Sequence, residues 1–160
     1  MNSQLITTII LFLREIGLTV VERSITKPTV LPGVEVEHGV LVVDRATLEY
    51  PGDLLHEAGH FAVVPPLERE QFHVNVGEDG GMEMGAIAWS YAAALHLGIA
   101  PALVFHNAGY RGGAGSLLDN FAAAQYVGVP ILTWRGLADA PTTHDPRSAG
   151  YPRMKRWLTA

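Results

Sequence analysis

The opening of the chain has the hydrophobic periodicity of one amphipathic helix followed by one short strand. Residues 3–16 predict the helix, and Gly17 ends it. Its apolar side chains recur on one side at helical spacing: Leu5, Ile9, Leu13 and Ile16. No basic segment precedes this apolar run and no small-residue cleavage site follows it, so we expect a helix and not a signal peptide. Residues 19–25 are rich in β-branched side chains and predict the strand.

A hairpin is predicted next along the chain. Valine and glutamate alternate over residues 34–37, as in a half-exposed strand. Residues 40–43 are all apolar and predict a strand that is more deeply buried. Between the two lies His38-Gly39, a pair that suits a tight hairpin turn.

The rest of the chain has mainly helical periodicity, interrupted by glycine and proline. The predicted helices cover residues 54–63, 83–97, 101–107, 117–126 and a short terminal stretch at 154–158. Asp53 is the predicted N-cap of the first of these, and Pro65-Pro66 ends it. Residues 67–82 predict a loop or a short strand around 72–76, and residues 134–145 predict irregular chain. The order of helix, sheet and further helices indicates one α+β domain over residues 1–160, with a small mixed or antiparallel sheet.

Residues 84–105 contain no Asp, Glu, Lys or Arg and are long enough for a membrane span. Gly98 and Pro101 interrupt the stretch and are typical of a helix end followed by a new helix start. We therefore expect two buried helices of a cytoplasmic protein. A membrane-embedded protein that uses this stretch as a span is the alternative.

Charge and cysteine content exclude several function classes. The chain has 11 basic and 16 acidic residues, a formal net charge of −5, which argues against nucleic-acid binding. Its one basic cluster, at residues 147–156, is interpreted as a solvated helix face. The sequence has no cysteine, so disulfides, thiolate ligands and cysteine nucleophiles are excluded. A bound metal would need His and carboxylate ligands, and seven histidines are present.

The chemical signal is His56-Glu57-Ala58-Gly59-His60, an HExxH motif. Two histidines four positions apart lie on one helix face and can reach a single zinc ion. Glu57 beside them is suited to accept a proton from a zinc-activated water. The neighbouring residues are uncharged, and burying two histidines and a glutamate without partners would be costly. A metal shared by His56 and His60 removes that cost, whereas two hydrogen-bonded histidines without metal are the alternative.

The third ligand is predicted to be Glu83, which opens a strongly apolar helix. A lone carboxylate in that position can point towards the HExxH helix. The alternative is a glutamate that stabilises the helix through its dipole. Four other side chains compete for the ligand position: His73, Glu78, Asp79 and His106.

HEAGH followed by E-x-x-A-x-x-W-S-Y-A-A-A-L resembles the minimal gluzincins of the ImmA/IrrE type, over about residues 40–100. The resemblance implies a small α+β zincin-like metallopeptidase. It also implies zinc ligands at His56, His60 and Glu83, with Glu57 as general base. The chain departs from that family's pattern at Ile87 and at residues 97–101, so the family's substrate is not carried over.

The sequence thus predicts a zinc-dependent hydrolase that cleaves a peptide or amide bond in a peptide or protein substrate. Such chemistry needs a donor for the developing oxyanion. His106, Tyr110 and Arg111, in or beside the glycine-rich segment 109–115, are the candidates. The alternative function is a non-catalytic binding or regulatory module stabilised by zinc, which would have no need of Glu57. The three tryptophans are expected in the core, and the sequence does not indicate the oligomeric state.

Overall fold

The computed structural model describes residues 2–77, 79–110, 112–141 and 150–160. Within these ranges the chain forms six α-helices and a three-stranded mixed sheet, which confirms the predicted α+β class. The elements are α1 (Asn2–Glu15), β1 (Val20–Glu22), β2 (Val34–Glu37), β3 (Val40–Val43), α2 (Asp53–Ala62), α3 (Pro66–Arg69), α4 (Gly80–Leu97), α5 (Ala114–Ala122) and α6 (Val129–Trp134). A single 3-10 turn, Pro101–Leu103, lies between α4 and α5.

The sheet has the order β1-β3-β2, with β1 parallel and β2 antiparallel to β3. The predicted hairpin is confirmed, because His38 and Gly39 both have positive φ angles (47° and 80°), as its tight turn requires. β3 is central and largely buried, which accounts for its continuous apolar run. The half-exposed pattern predicted for β2 is wrong at Glu35, which is 8% exposed. Lys27 pairs with its carboxylate at 2.5 Å and so makes the burial tolerable.

Helices α2 and α4 pack against each other more extensively than any other pair of described elements. Gly59 permits this close approach, because a Cβ there would lie 2.7 Å from the carbonyl oxygen of Ala86. Trp89, on the same side of α4, is fully buried. The α2–α4 contact thus sets the distance between the HExxH helix and the start of α4.

The start and end of α4 have clear local causes. Asp79 accepts a hydrogen bond from the Met82 amide at 2.9 Å, so the helix begins three residues earlier than predicted. Gly98 ends it in the left-handed region at φ 68°, as predicted. Among the residues described, no helix combines the length and the apolarity needed to cross a membrane.

Several predicted elements are wrong. The helix predicted over residues 101–107 is only a 3-10 turn, because Phe105 enters the core and the His106 side chain turns towards α2. The loop predicted over residues 67–82 begins with the short helix α3. Helix α6 is not among the predicted helices. It begins after Gly128 with Pro130 in its first turn, a position that suits proline.

The C-terminal segment also differs from prediction. Residues 154–158 do not form a helix, because the Lys155 and Arg156 amides donate to the Leu137 carbonyl instead. The predicted helix face of the basic cluster is therefore absent from its described part, and Arg147 lies outside the described residues. Trp134 is 66% exposed, which contradicts its predicted place in the core.

Candidate metal centre

His56 and His60 project from one face of α2, one turn apart, as the motif predicts. Their Nε2 atoms lie 3.3 Å apart, and the two rings are nearly perpendicular, at 79°. Both side chains are largely buried, with 15% and 6% exposed. The two nitrogens therefore converge on one point at the surface of α2.

Glu83 meets this pair from the first turn of α4. One carboxylate oxygen lies 3.2 Å from Nε2 of His56, and the other lies 2.7 Å from Nε2 of His60. Hydrogen bonds from His56 and His60 hold the pKa of Glu83 far below its usual range. Burial works to lower the pKa of His56, but the hydrogen bond and charge of Glu83 outweigh it and the pKa is raised. We call the two Nε2 atoms and this carboxylate the donor set.

The chemistry and spacing of the donor set fit a zinc ion. Zinc takes nitrogen and carboxylate ligands at about 2.0–2.2 Å in a tetrahedral arrangement, so two ligand atoms on one ion lie roughly 3.3 Å apart. The His56–His60 and His56–Glu83 distances already match that value. The His60–Glu83 distance, 2.7 Å, is shorter than this spacing and is that of a close hydrogen bond.

Glu57 lies beside the donor set and is itself poorly accessible. The ligand atoms of His56, Glu57 and His60 all lie within 4.8 Å of one another. Burial raises the pKa of Glu57, although the charges of His60 and His56 oppose the shift. A partly buried carboxylate beside such a centre is placed to take up and release a proton.

A cavity of about 520 Å³ opens over the donor set. Its lining includes residues of α2 and Glu83, the segment 27–31 and residues of β2. Residues 74–77, together with Gly109 and Tyr110, complete the wall. Aliphatic side chains line much of it, among them Val30 and Val74, which are 90% and 65% exposed. The cavity therefore has an aliphatic wall facing the polar donor set.

The backbone of β2 contributes to that wall, because β2 is an edge strand. The Leu41 amide of β3 donates to the Thr19 carbonyl, on the side of β1. Val36 of β2 pairs with Leu41, and its own N–H and C=O groups therefore point away from β3. The Val36 carbonyl accepts from the Val74 amide at 2.8 Å. The Val36 N–H consequently points away from β3, to the same side of the strand as the cavity-lining Val74.

The predicted oxyanion donors do not face the donor set directly. The Tyr110 hydroxyl lies 3.0 Å from Nδ1 of His56, on the ring edge opposite the donor set. Burial, reinforced by nearby carboxylates, raises the pKa of Tyr110, which keeps it a neutral phenol. His106 points its Nε2 at Asp53 instead, at 2.6 Å. Arg111 lies outside the described residues.

Asp53 is a residue of the site whose role sequence reasoning missed. The sequence predicts Asp53 as the N-cap of α2, but the N-cap position is held by Gly52, which has no side chain to cap the helix. The Asp53 carboxylate is buried against His106, whose ring stacks on Tyr50 at 4.1 Å. Burial raises the pKa of Asp53, although the hydrogen bond to His106 opposes the shift. Its position three residues before His56, on the same helix face, is the sequence signal that points to it.

The described competitors for the third ligand position are directed elsewhere. His73 stacks on His38 at 4.0 Å, at the hairpin turn. Asp79 caps α4, and His106 is engaged by Asp53. Glu78 lies outside the described residues. Of the predicted third ligands that are described, Glu83 alone contacts both histidines of the motif.

Comparison with known proteins gives this site no counterpart from which its chemistry could be transferred. The chain matches no protein family model, no curated protein and no solved structure among those with which it was compared. What the site can do is therefore inferred from its own side chains.

Proposed function

We propose that the chain is a zinc-dependent hydrolase of peptide or amide bonds, a zincin-like metallopeptidase resembling the ImmA/IrrE type. His56, His60 and Glu83 would hold the zinc, and Glu57 would act as general base. The observation that carries the proposal is the convergence of the donor set, with Nε2 atoms 3.3 Å apart and a carboxylate within 3.2 Å of each. This geometry supports one ion held by two helices.

The catalytic work divides between the metal and Glu57. Zinc, when bound, lowers the pKa of a water molecule towards about 7 and polarises a carbonyl. Glu57 takes the proton released at the centre on its carboxylate and returns it to the departing amine. Its partial burial raises its pKa, which favours proton uptake, and its place in the helix, next to His56, fixes it beside the donor set.

The cavity supports a peptide as substrate. The outward Val36 N–H offers a backbone donor to an extended chain lying along β2, as in strand addition. The aliphatic wall, including Val30 and Val74, gives apolar side chains of such a chain a surface to contact. A peptide held against β2 would face Glu57 and the donor set across the cavity.

The test is a comparison of wild type with Glu57→Gln and with a control, Glu68→Gln, on the exposed surface of α3. Zinc content is measured first, and a peptide-library digest then identifies a cleaved substrate. Glu57→Gln should keep one zinc and wild-type thermal stability, yet lose hydrolysis by at least about 100-fold, since base and metal act on the same water. The Glu68→Gln control should match wild type in zinc content, thermal stability and hydrolysis.

Two results would contradict the proposal. Protein that binds no zinc, even after incubation with it, would remove the metal centre. Equal cleavage by wild type and Glu57→Gln would remove the catalytic role and would favour a zinc-stabilised binding or regulatory module instead.

A further inference from the structure

Tyr110 reaches the donor set from the glycine-rich segment and contacts the back of one histidine. Its hydroxyl lies 3.0 Å from Nδ1 of His56, while Nε2 of the same ring faces His60 and Glu83. The two nitrogens of His56 therefore face different partners. One edge of the ring faces the rest of the donor set, and the other faces the Tyr110 hydroxyl.

Metal binding through Nε2 would set the tautomer of His56. A neutral histidine that binds a metal through Nε2 carries its hydrogen on Nδ1, and this N–H needs an acceptor. A phenol oxygen is such an acceptor and keeps its own hydrogen at neutral pH. With a metal on Nε2, the tyrosine oxygen would accept from His56 Nδ1 and so hold both the tautomer and the orientation of the ring.

Packing holds the tyrosine in this position. Its ring meets the His56 ring and the Phe105 ring edge to face, at 5.6 and 5.5 Å and at 90° in both cases. Phe105 is 1% exposed and so is itself fixed in the core. Gly109 allows the chain to pass close to His106, because a Cβ there would lie 3.1 Å from Cε1 of that ring. The hydroxyl is thus presented by a rigid aromatic ring.

Among the described residues, no carboxylate hydrogen-bonds to Nδ1 of His56. Asp53 lies three residues before His56 on the same face of α2 and is the nearest alternative along the helix. Its Oδ1 atom contacts Nε2 of His106 at 2.6 Å, and its buried Oδ2 atom makes no hydrogen bond to His56. Tyr110 is accordingly the side chain that the described hydrogen bonds assign to Nδ1 of His56.

We propose that Tyr110 is a positioning residue that holds His56 in its metal-binding tautomer and thereby raises the affinity of the centre for zinc. The inference rests on the metal site of the proposed function and not on hydrolysis. It also replaces the role of oxyanion donor that the sequence suggested for Tyr110. The glycine-rich segment is then linked to the metal through one hydrogen bond.

The experiment is a zinc competition titration with a chromophoric chelator on wild type, Tyr110→Phe and Tyr50→Phe. Tyr110→Phe keeps the ring and removes the hydroxyl, and zinc affinity should fall by about 10–100-fold, as for other partners of metal-binding histidines. Tyr50→Phe removes a neighbouring hydroxyl that does not contact His56, and affinity should stay at the wild-type value. Hydrolysis by Tyr110→Phe should return towards the wild-type rate when zinc is saturating.

The opposite pattern would overturn the inference. Wild-type zinc affinity in Tyr110→Phe, with a lower rate at saturating zinc, would make the tyrosine an oxyanion donor and leave the metal centre intact. Wild-type protein that binds no zinc would instead refute both the proposed function and this inference.

A measurement on wild type keeps the inference testable if Tyr110→Phe does not fold. In zinc-loaded protein with ¹⁵N-labelled histidine, NMR should find His56 bound through Nε2, with an Nδ1 hydrogen protected from exchange with water. Coordination through Nδ1, or an Nδ1 hydrogen that exchanges freely, would contradict the assignment.

Discussion

Glu83 and His60 meet at 2.7 Å, between carboxylate oxygen and Nε2, and so join the first turn of α4 to the second half of α2. This contact depends on how closely the two helices pack. Because Gly59 lies at their crossing against Ala86, the spacing of the donor set is fixed by a residue within the HExxH motif that bears no side chain.

Gly59→Ala should push the helices apart. The added Cβ would lie 2.7 Å from the Ala86 carbonyl oxygen, and overpacking of this kind costs about 1–3 kcal/mol. Chemical denaturation measures the loss, and zinc affinity should fall with it. Gly115→Ala in α5 is the control, since a Cβ there meets nothing within 4 Å and should stabilise the helix by up to about 1 kcal/mol. A Gly59→Ala variant with the unfolding free energy and zinc affinity of wild type would show that the α2–α4 crossing does not depend on this glycine.

Glu83→Gln should weaken zinc binding more than the loss of any residue outside the donor set. The amide keeps the shape of the side chain but loses the charge that zinc and both histidines favour, so affinity should fall by more than about 100-fold. Isothermal titration or chelator competition gives the value. Glu15→Gln, at the exposed end of α1, is the matched control and should bind zinc as wild type does. Equal affinity in both variants would exclude Glu83 as a ligand.

The residues of the donor set could be predicted from sequence because their signals are local or nearly so. His56 and His60 share a helix face by spacing alone, and Glu83 stands out as the lone carboxylate at the start of an apolar helix. The hairpin was equally local, since His38-Gly39 determines its turn. The bounds of α4 were predictable at Gly98 and less so at its start, where the Asp79 side chain supplies the cap.

What could not be predicted depends on contacts between distant parts of the chain. Asp53 has a sequence typical of a helix cap, but a histidine far along the chain captures its carboxylate. Glu35 alternates like an exposed residue, yet its carboxylate is buried and pairs with the exposed Lys27. Residues 154–158 have a helical pattern, but the Leu137 carbonyl competes for their amides. Tertiary hydrogen bonds and ion pairs outweighed local propensity in each case.

The wall of the cavity should lose stability in acid through Asp44. This buried carboxylate accepts hydrogen bonds from the Ile25 and Ala46 amides at 2.9 and 3.0 Å, and so anchors the chain that leads into segment 27–31. The hydrogen bond from the Ile25 backbone amide, more than any other contact, lowers the pKa of Asp44 below its ordinary value of about 3.9. Because the pKa of Asp44 is lower in the folded state, its ionised form stabilises the fold at pH values above the pKa of the unfolded chain. This contribution is lost as the pH falls through the pKa of the folded state.

Urea unfolding of wild type and Asp44→Asn over a pH series measures this contribution as the difference between the two proteins. The difference should be constant above about pH 5 and shrink as the pH is lowered towards 3 and below. Asp119→Asn, an exposed position on α5, should show no such pH-dependent difference. A wild-type advantage that grows in acid would contradict the sign of the pKa shift.

The most direct test of the central claim is a crystal structure of zinc-incubated protein with an anomalous-scattering map at the zinc edge. The account predicts one zinc per chain, with Nε2 of His56, Nε2 of His60 and a Glu83 oxygen each at about 2.0–2.2 Å. A map without zinc at this position, or a zinc held by His73 or His106 while Glu83 points to solvent, would contradict it.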